Sequence, residues 1–338
     1  MSQLTDWRAP EHWTRTTTID MHTGGEPLRV IIDGLPHIEG RTVLEKRSYF
    51  RDHYDHLRTG LMWEPRGHAD MYGAVLTPSD DADLDVFFLH NEGYSTMCGH
   101  AIIALTKLAV ETKIVNKTQV SFNVPAGRIE ARANVVDGRV IETSFRNVPS
   151  FVYLRDQQVD VPEIGRVPFD VAYGGAFYAI VKTDKGELSL APGNFNRIID
   201  YGRRIKREVM SRFPITHPYE SDLSFLYGTI FTGPPLNPAH HSRNVCIFAE
   251  GELDRSATGS GVSARAALHF ARGELALNER VTIESILGST MSVKVVETTR
   301  FGPYDAVIPE VSGTASITGR HEFYFDPEDL SRNGFILR

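Results

Sequence analysis

Short apolar runs separated by Gly-, Asp- and Asn-containing turns recur along most of the chain, which is the pattern of strands. Residues 19–31 read as strand, Gly24-Gly25 turn and strand. Residues 70–76 and 86–90 read as two further strands. Residues 120–124, 129–133 and 139–145 read as a meander, with an Asp137-Gly138 turn between the last two. The strand pattern resumes at 169–181, at 244–248, at 281–285 and at 291–297. Four stretches break this rhythm with helical spacing. Residues 43–56 are charged, and residues 198–213 are rich in Arg and predict a solvated outer helix. Residues 101–110 are apolar on every side and predict a buried helix, as do the small residues at 262–270.

Two of these segments share one grammar. The first runs from the strand Val86-Phe87-Phe88-Leu89-His90 through a Glu92-Gly93 turn to Cys98-Gly99-His100-Ala101 and a buried helix. The second runs from Asn244-Val245-Cys246-Ile247-Phe248 through Glu250-Gly251 to the polar loop ending Thr258-Gly259-Ser260-Gly261 and an alanine-rich helix. Thr258 occupies in the second copy the place of Cys98 in the first. Such a duplication predicts two similar lobes, each aiming a helix N-terminus at a shared cleft. Free N–H groups and the helix dipole make that cleft a natural carboxylate site and favour a thiolate at Cys98. The α/β class follows: each lobe is a twisted, mostly antiparallel sheet around a central helix. The division is expected to give residues 1–165 together with 319–338 as one lobe and 166–318 as the other.

Composition narrows the function. In 338 residues, 36 Lys and Arg face 43 Asp and Glu, a net charge of −7. That balance, with no basic block, argues against nucleic acid and leaves small molecules as ligands. No apolar stretch has the length of a membrane span, and residues 1–7 lack an apolar core of the secretory type. The only cysteines, Cys98 and Cys246, lie in dissimilar contexts, so no disulfide framework is expected and the cytosol is the expected compartment. Cys246 reads as a core residue of its strand. No lysine sits in a pyridoxal-phosphate context, no His/Cys/Asp cluster has metal-ligand spacing, and Gly259-Ser260-Gly261 lacks the lysine of a phosphate loop.

Several segments together resemble one family. Asp20-Met21-His22-Thr23-Gly24-Gly25-Glu26-Pro27, Glu64-Pro65-Arg66-Gly67-His68-Ala69-Asp70-Met71, Met97-Cys98-Gly99-His100, Ala172-Tyr173-Gly174-Gly175 and Asp254-Arg255-Ser256 are similar to the proline racemase family over nearly the whole chain. The resemblance implies a pair of diaminopimelate-epimerase-like lobes with the active site between them, a small imino acid as substrate, no cofactor and a homodimer. One departure matters. Family members that racemise carry Asp-Arg-Ser-Pro-Cys-Gly-Thr-Gly, where this chain has Asp254-Arg255-Ser256-Ala257-Thr258-Gly259-Ser260-Gly261. A two-base racemase needs two groups that titrate near neutral pH, and a threonine hydroxyl does not. The Cys/Thr pairing resembles the branch that dehydrates trans-3-hydroxy-L-proline.

On that resemblance Cys98 is the base and Thr258 its partner across the cleft. Backbone N–H groups of Gly99, His100, Gly259 and Ser260 would cradle the carboxylate, and Asp254 with the His100 side chain would hold the ring amine. For Asp254 the structural alternative is a helix N-cap. His22, Glu26, Arg66, His68 and Asp70 are expected in turns and lobe packing, and Tyr173 and Phe177 along the apolar side of the pocket. Two other functions compete: a racemase or hydroxyproline 2-epimerase using one cysteine and a water, and a non-catalytic imino-acid binder.

Overall fold

The strand–turn–strand and strand–loop–helix units fold twice over in the same order, in a computed structural model that describes residues 6–183 and 188–337. Residues 1–5 of the N-terminal segment read above lie outside the described residues. In the first copy β1 (Thr14–Thr23) and β2 (Glu26–Asp33) form an antiparallel hairpin, and α1 (Val43–Met62) crosses to β3 (Tyr72–Thr77), parallel to β2. Next, β4 (Leu84–His90) returns antiparallel and β5 (Gly93–Ser95) folds back on it. Then α2 (Gly99–Glu111) crosses to β6 (Gln119–Val124), parallel to β4, and β7 (Gly127–Val136) and β8 (Arg139–Arg146) complete a meander. After β9 (Ser150–Val161) the second copy repeats each step. It comprises β10 (Gly165–Tyr173), β11 (Phe177–Lys182), α3 (Phe195–Arg212), β12 (Leu226–Gly233), β13 (Ser242–Phe248), β14 (Glu252–Leu253), α4 (Gly259–Ala271), β15 (Val281–Glu284), β16 (Thr290–Phe301) and β17 (Tyr304–Gly313). Its pairings match: β11 with β12 and β13 with β15 are parallel, and the hairpins are antiparallel.

The last strand of each copy is handed to the other lobe. β18 (Ala315–Phe325) pairs antiparallel with β1 from Thr14↔Phe325 to Thr23↔Ala315, and β9 pairs with β10 from Gly165↔Val161 to Tyr173↔Phe151. A further β8–β17 pairing crosses between the lobes. The expected division at residue 165 falls at the first residue of β10, in the hairpin that pairs it with β9. Because β9 packs on α4, we propose that the lobes divide at 147–149 and 314.

Burial follows the sequence pattern. Helix α2 is buried from Gly99 to Thr106 and again at Leu108 and Ala109, as a helix apolar all round must be. Helix α3 buries only Ile198, Gly202, Ile205 and Val209, one stripe at helical spacing, and leaves its arginines in water as expected. Helix α1 runs past the expected residue 56 to Met62. A Thr42/Glu45 capping box starts it, and buried Leu57, Leu61 and Met62 continue it beyond the charged stretch. The Asp137-Gly138 turn has φ of +50° and +75°, the left-handed pair that a two-residue hairpin requires.

Candidate active site

Helices α2 and α4 meet end to end at their N-termini, and two glycines permit it. A Cβ added to Gly99 would lie 2.5 Å from Gly259 Cα, and one added to Gly259 would lie 2.6 Å from Gly99 Cα. The first-turn N–H groups of both helices, which no intrahelical carbonyl can accept, are thereby brought to one place. They border a small cavity lined by Tyr72, Met97, Cys98, Gly99, His100, Tyr178, Tyr227, Phe248, Asp254, Thr258, Gly259 and Ser260. The seven residues expected as base, partner, carboxylate cradle and amine holder (Cys98, Thr258, Gly99, His100, Gly259, Ser260 and Asp254) all line it.

Cys98 caps α2 from an extended conformation, and its Sγ accepts from the Ala101 N–H at 3.4 Å. The imidazole of His100 lies against the sulfur, with Nδ1 at 3.1 Å and Nε2 at 3.6 Å. The helix terminus favours a thiolate at Cys98, but burial is the larger effect. It pushes the Cys98 thiol well above its ordinary value, with Asp254 and Glu26 adding to the rise and the Ala101 N–H and Tyr72 opposing it. Burial also keeps His100 neutral by lowering its pKa.

Thr258 caps α4 at φ +64°, a conformation strained for a β-branched residue. Its hydroxyl is buried and finds no hydrogen-bond partner among the described residues. Strain held at an orphan polar group marks a functional position more often than a structural one. Asp254 is not the cap of α4. Its Oδ1 accepts from Ser256 N–H at 2.7 Å, a local turn that leaves the carboxylate at the cavity. Glu26 lies beside it, fully buried, with Oε2 accepting from Arg255 N–H at 2.7 Å. Burial raises the Glu26 carboxyl well above the carboxylate range, with Asp254 contributing next.

The aromatic wall differs from the sequence expectation. Tyr173 and Phe177 face away from the cavity, and the Tyr173 ring stacks on Phe151 at 5.1 Å. The neighbouring position on β11, Tyr178, lines it instead, and its hydroxyl bonds Ser260 Oγ at 2.7 Å. Adjacent strand residues point to opposite faces, so an error of one position exchanges wall for core. Tyr72, Tyr227 and Phe248, from β3, β12 and β13, are not singled out by sequence because strand aromatics are usually core. Their common signal is a phenol or ring at the strand end nearest the helix N-termini.

The remaining polar residues hold turns and join lobes. His22 Nδ1 accepts from Gly25 N–H at 3.2 Å, and Arg66 bonds the Tyr324 carbonyl over the Phe325 ring. His68 Nδ1 lies 2.8 Å from the Ala69 carbonyl. Asp70 pairs with Arg255 at 2.6 Å across the lobes. Cys246 is buried in β13 opposite Ile230, and both cysteines are free thiols. Among the described residues no helix is long and apolar enough to cross a membrane, and no three His, Cys, Asp or Glu side chains gather as metal ligands.

Two repeated lobes that press glycine-started helices together over a cysteine define a class, enzymes with one site in the cleft between two like halves. Residues 18–336 match the family model described as proline racemase, and the chain belongs to that family. A Colwellia psychrerythraea protein named trans-3-hydroxy-L-proline dehydratase is 52% identical over 97% of this chain and 94% of its own length. A human protein of the same name is 44% identical over 98% of each. The structure of an Agrobacterium vitis hydroxyproline epimerase with bound trans-4-hydroxy-L-proline superposes with a TM-score of 0.90 at 30% identity, covering 97% of this chain and 96% of that one.

Proposed function

We propose that this protein dehydrates trans-3-hydroxy-L-proline to Δ1-pyrroline-2-carboxylate without a cofactor. The observation that carries the reading is the pair of helix caps on one cavity, a cysteine on α2 and a threonine on α4. One side can take a proton and the other cannot, which suits elimination and not racemisation. The names of the Colwellia and human relatives agree with it.

The substrate carboxylate sits on the N–H groups of Gly99, His100, Gly259 and Ser260. Donors fixed at that point also stabilise the charge that spreads from Cα onto the carboxylate, at about 3 kcal/mol for each donor. The secondary ammonium of the ring lies against Asp254, with His100 beside it. Its positive charge lowers the cost of ionising Cys98 and acidifies Cα. Cys98 takes the Cα proton, the Cα–C3 double bond forms, and the 3-hydroxyl leaves as water. The enamine then tautomerises to the imine. Thr258 orients the ring or a water from the opposite face. The two free thiols support the cytosol as the working compartment.

A second reading, 2-epimerisation of hydroxyproline, is favoured by the likeness to the Agrobacterium structure. One experiment separates the two: incubation of the purified protein with trans-3-hydroxy-L-proline, trans-4-hydroxy-L-proline and L-proline in D₂O, followed by NMR. Dehydration consumes the first alone. Inversion with deuterium at Cα of the others, and no loss of the first, overturns the proposal.

A further inference from the structure

We infer that Tyr72 is the acid that protonates the departing 3-hydroxyl, a step that rests on the dehydration proposed above. In trans-3-hydroxy-L-proline the carboxylate and the hydroxyl lie on opposite ring faces, so the Cα hydrogen and the hydroxyl share one face. The sulfur that removes the hydrogen is therefore next to the oxygen that leaves. A donor for that oxygen has to stand beside Cys98.

Tyr72 stands there. It lines the cavity with Cys98, is 2% exposed, its hydroxyl hydrogen-bonds Ser95 Oγ, and its ring packs on His100, whose Nδ1 lies 3.1 Å from the Cys98 sulfur. Its ring is fixed edge-on to His100 at 4.8 Å and to Phe248 at 6.1 Å, so the phenol has one position. Tyr227, a second phenol on the same cavity, stacks on Phe248 at 5.5 Å and lies edge-on to Tyr178 at 5.9 Å, whereas Tyr72 packs on His100, the imidazole that touches the Cys98 sulfur. Thr258 belongs to the other helix cap. Burial holds the Tyr72 phenol protonated, the state an acid needs before the reaction.

The step balances without a co-reactant. The Cys98 thiolate takes the Cα proton, and that C–H electron pair becomes the Cα–C3 π bond. The C3–O bond breaks with its pair on oxygen, and the Tyr72 O–H proton moves to that oxygen to make water. The phenolate then takes the proton from the Cys98 thiol. Phenol and thiolate are both restored for the next turnover.

The test compares two leaving groups, because fluoride departs without a proton and hydroxide does not. Wild type and Tyr72→Phe are assayed with trans-3-hydroxy-L-proline and with trans-3-fluoro-L-proline, reading pyrroline carboxylate and released fluoride. Loss of an acid costs about a hundredfold or more. The expected result is that loss on the hydroxy substrate with fluoride elimination kept within about fivefold. Equal loss on both substrates, or dehydration retained within about tenfold, overturns the inference. If Tyr72→Phe does not fold, Ser95→Ala takes its place: it frees the phenol without touching the thiol and has to slow only the hydroxy substrate. Wild type that releases fluoride but leaves trans-3-hydroxy-L-proline intact overturns the dehydration reading itself.

Discussion

At Cys98 a helix terminus and burial act in opposite directions, and burial is stronger. The reactive form is the thiolate, so its fraction grows about tenfold per pH unit below a raised pKa. The expected kcat/KM for dehydration rises with pH through the neutral range, until the substrate ammonium deprotonates. A flat profile between pH 6 and 8 would contradict this. Glu26 gives a stability prediction of known sign. Its carboxyl pKa is raised in the folded state, so the native protein holds a proton that the unfolded chain releases. Stability is then full below the ordinary carboxyl pKa and falls as pH rises, by up to about 1.4 kcal/mol per unit for a single group. Glu26→Gln keeps the shape and removes the proton, so its melting temperature should exceed that of wild type increasingly from pH 5 to pH 8. Thr258→Cys places a second titratable group across from the first. We expect it to acquire Cα inversion of proline or hydroxyproline, seen as deuterium uptake with a change of handedness.

Between elements, the decisive contact is helix end against helix end. An alanine Cβ at Gly99 or Gly259 would come within 2.6 Å of the opposite helix backbone, so α2 and α4 have to separate. Gly99→Ala is expected to reduce dehydration by about a hundredfold or more, because a shift near 1 Å misplaces the carboxylate donors. It should also lower the melting point, since overpacking at such a site costs about 1–3 kcal/mol. Activity within tenfold of wild type would show that the helix ends do not set the donor geometry. The helices themselves were legible. Residues 101–110 are apolar on all sides, and 198–213 carry one apolar stripe, so their depths follow from composition alone. The extension of α1 to Met62 was not legible, because it depends on Leu57 and Leu61 finding Phe87 and Leu89 in the same cluster.

Across the whole molecule, the lobes are joined by exchanged strands and by polar links at the cleft. Arg255 carries two of these links: its side chain pairs with Asp70 at 2.6 Å, and its N–H bonds Glu26 at 2.7 Å. Arg255→Ala loses the first and keeps the second. It should raise KM about tenfold with a smaller effect on kcat, as expected where closure sequesters substrate. Steady-state kinetics on trans-3-hydroxy-L-proline reads the split, and an effect on kcat alone would assign Arg255 to chemistry. The strand exchange was half legible. A tail returning to the first lobe was expected from about residue 319, and β18 begins at Ala315. The matching return of β9 was missed because Pro149 before it reads as a break and its partner β10 follows in sequence.

The chain by itself determined the duplicated strand–loop–helix order, the buried and exposed helices, and the cysteine and threonine that begin α2 and α4. Those features are local: hydrophobic period, caps and turn residues act over a few positions. The tertiary structure alone decided which phenols face the cavity, that burial outweighs the helix terminus at Cys98, and that Glu26 lies against Asp254. These depend on strand register and on packing between residues hundreds of positions apart, where a single step along a strand reverses the direction of a side chain.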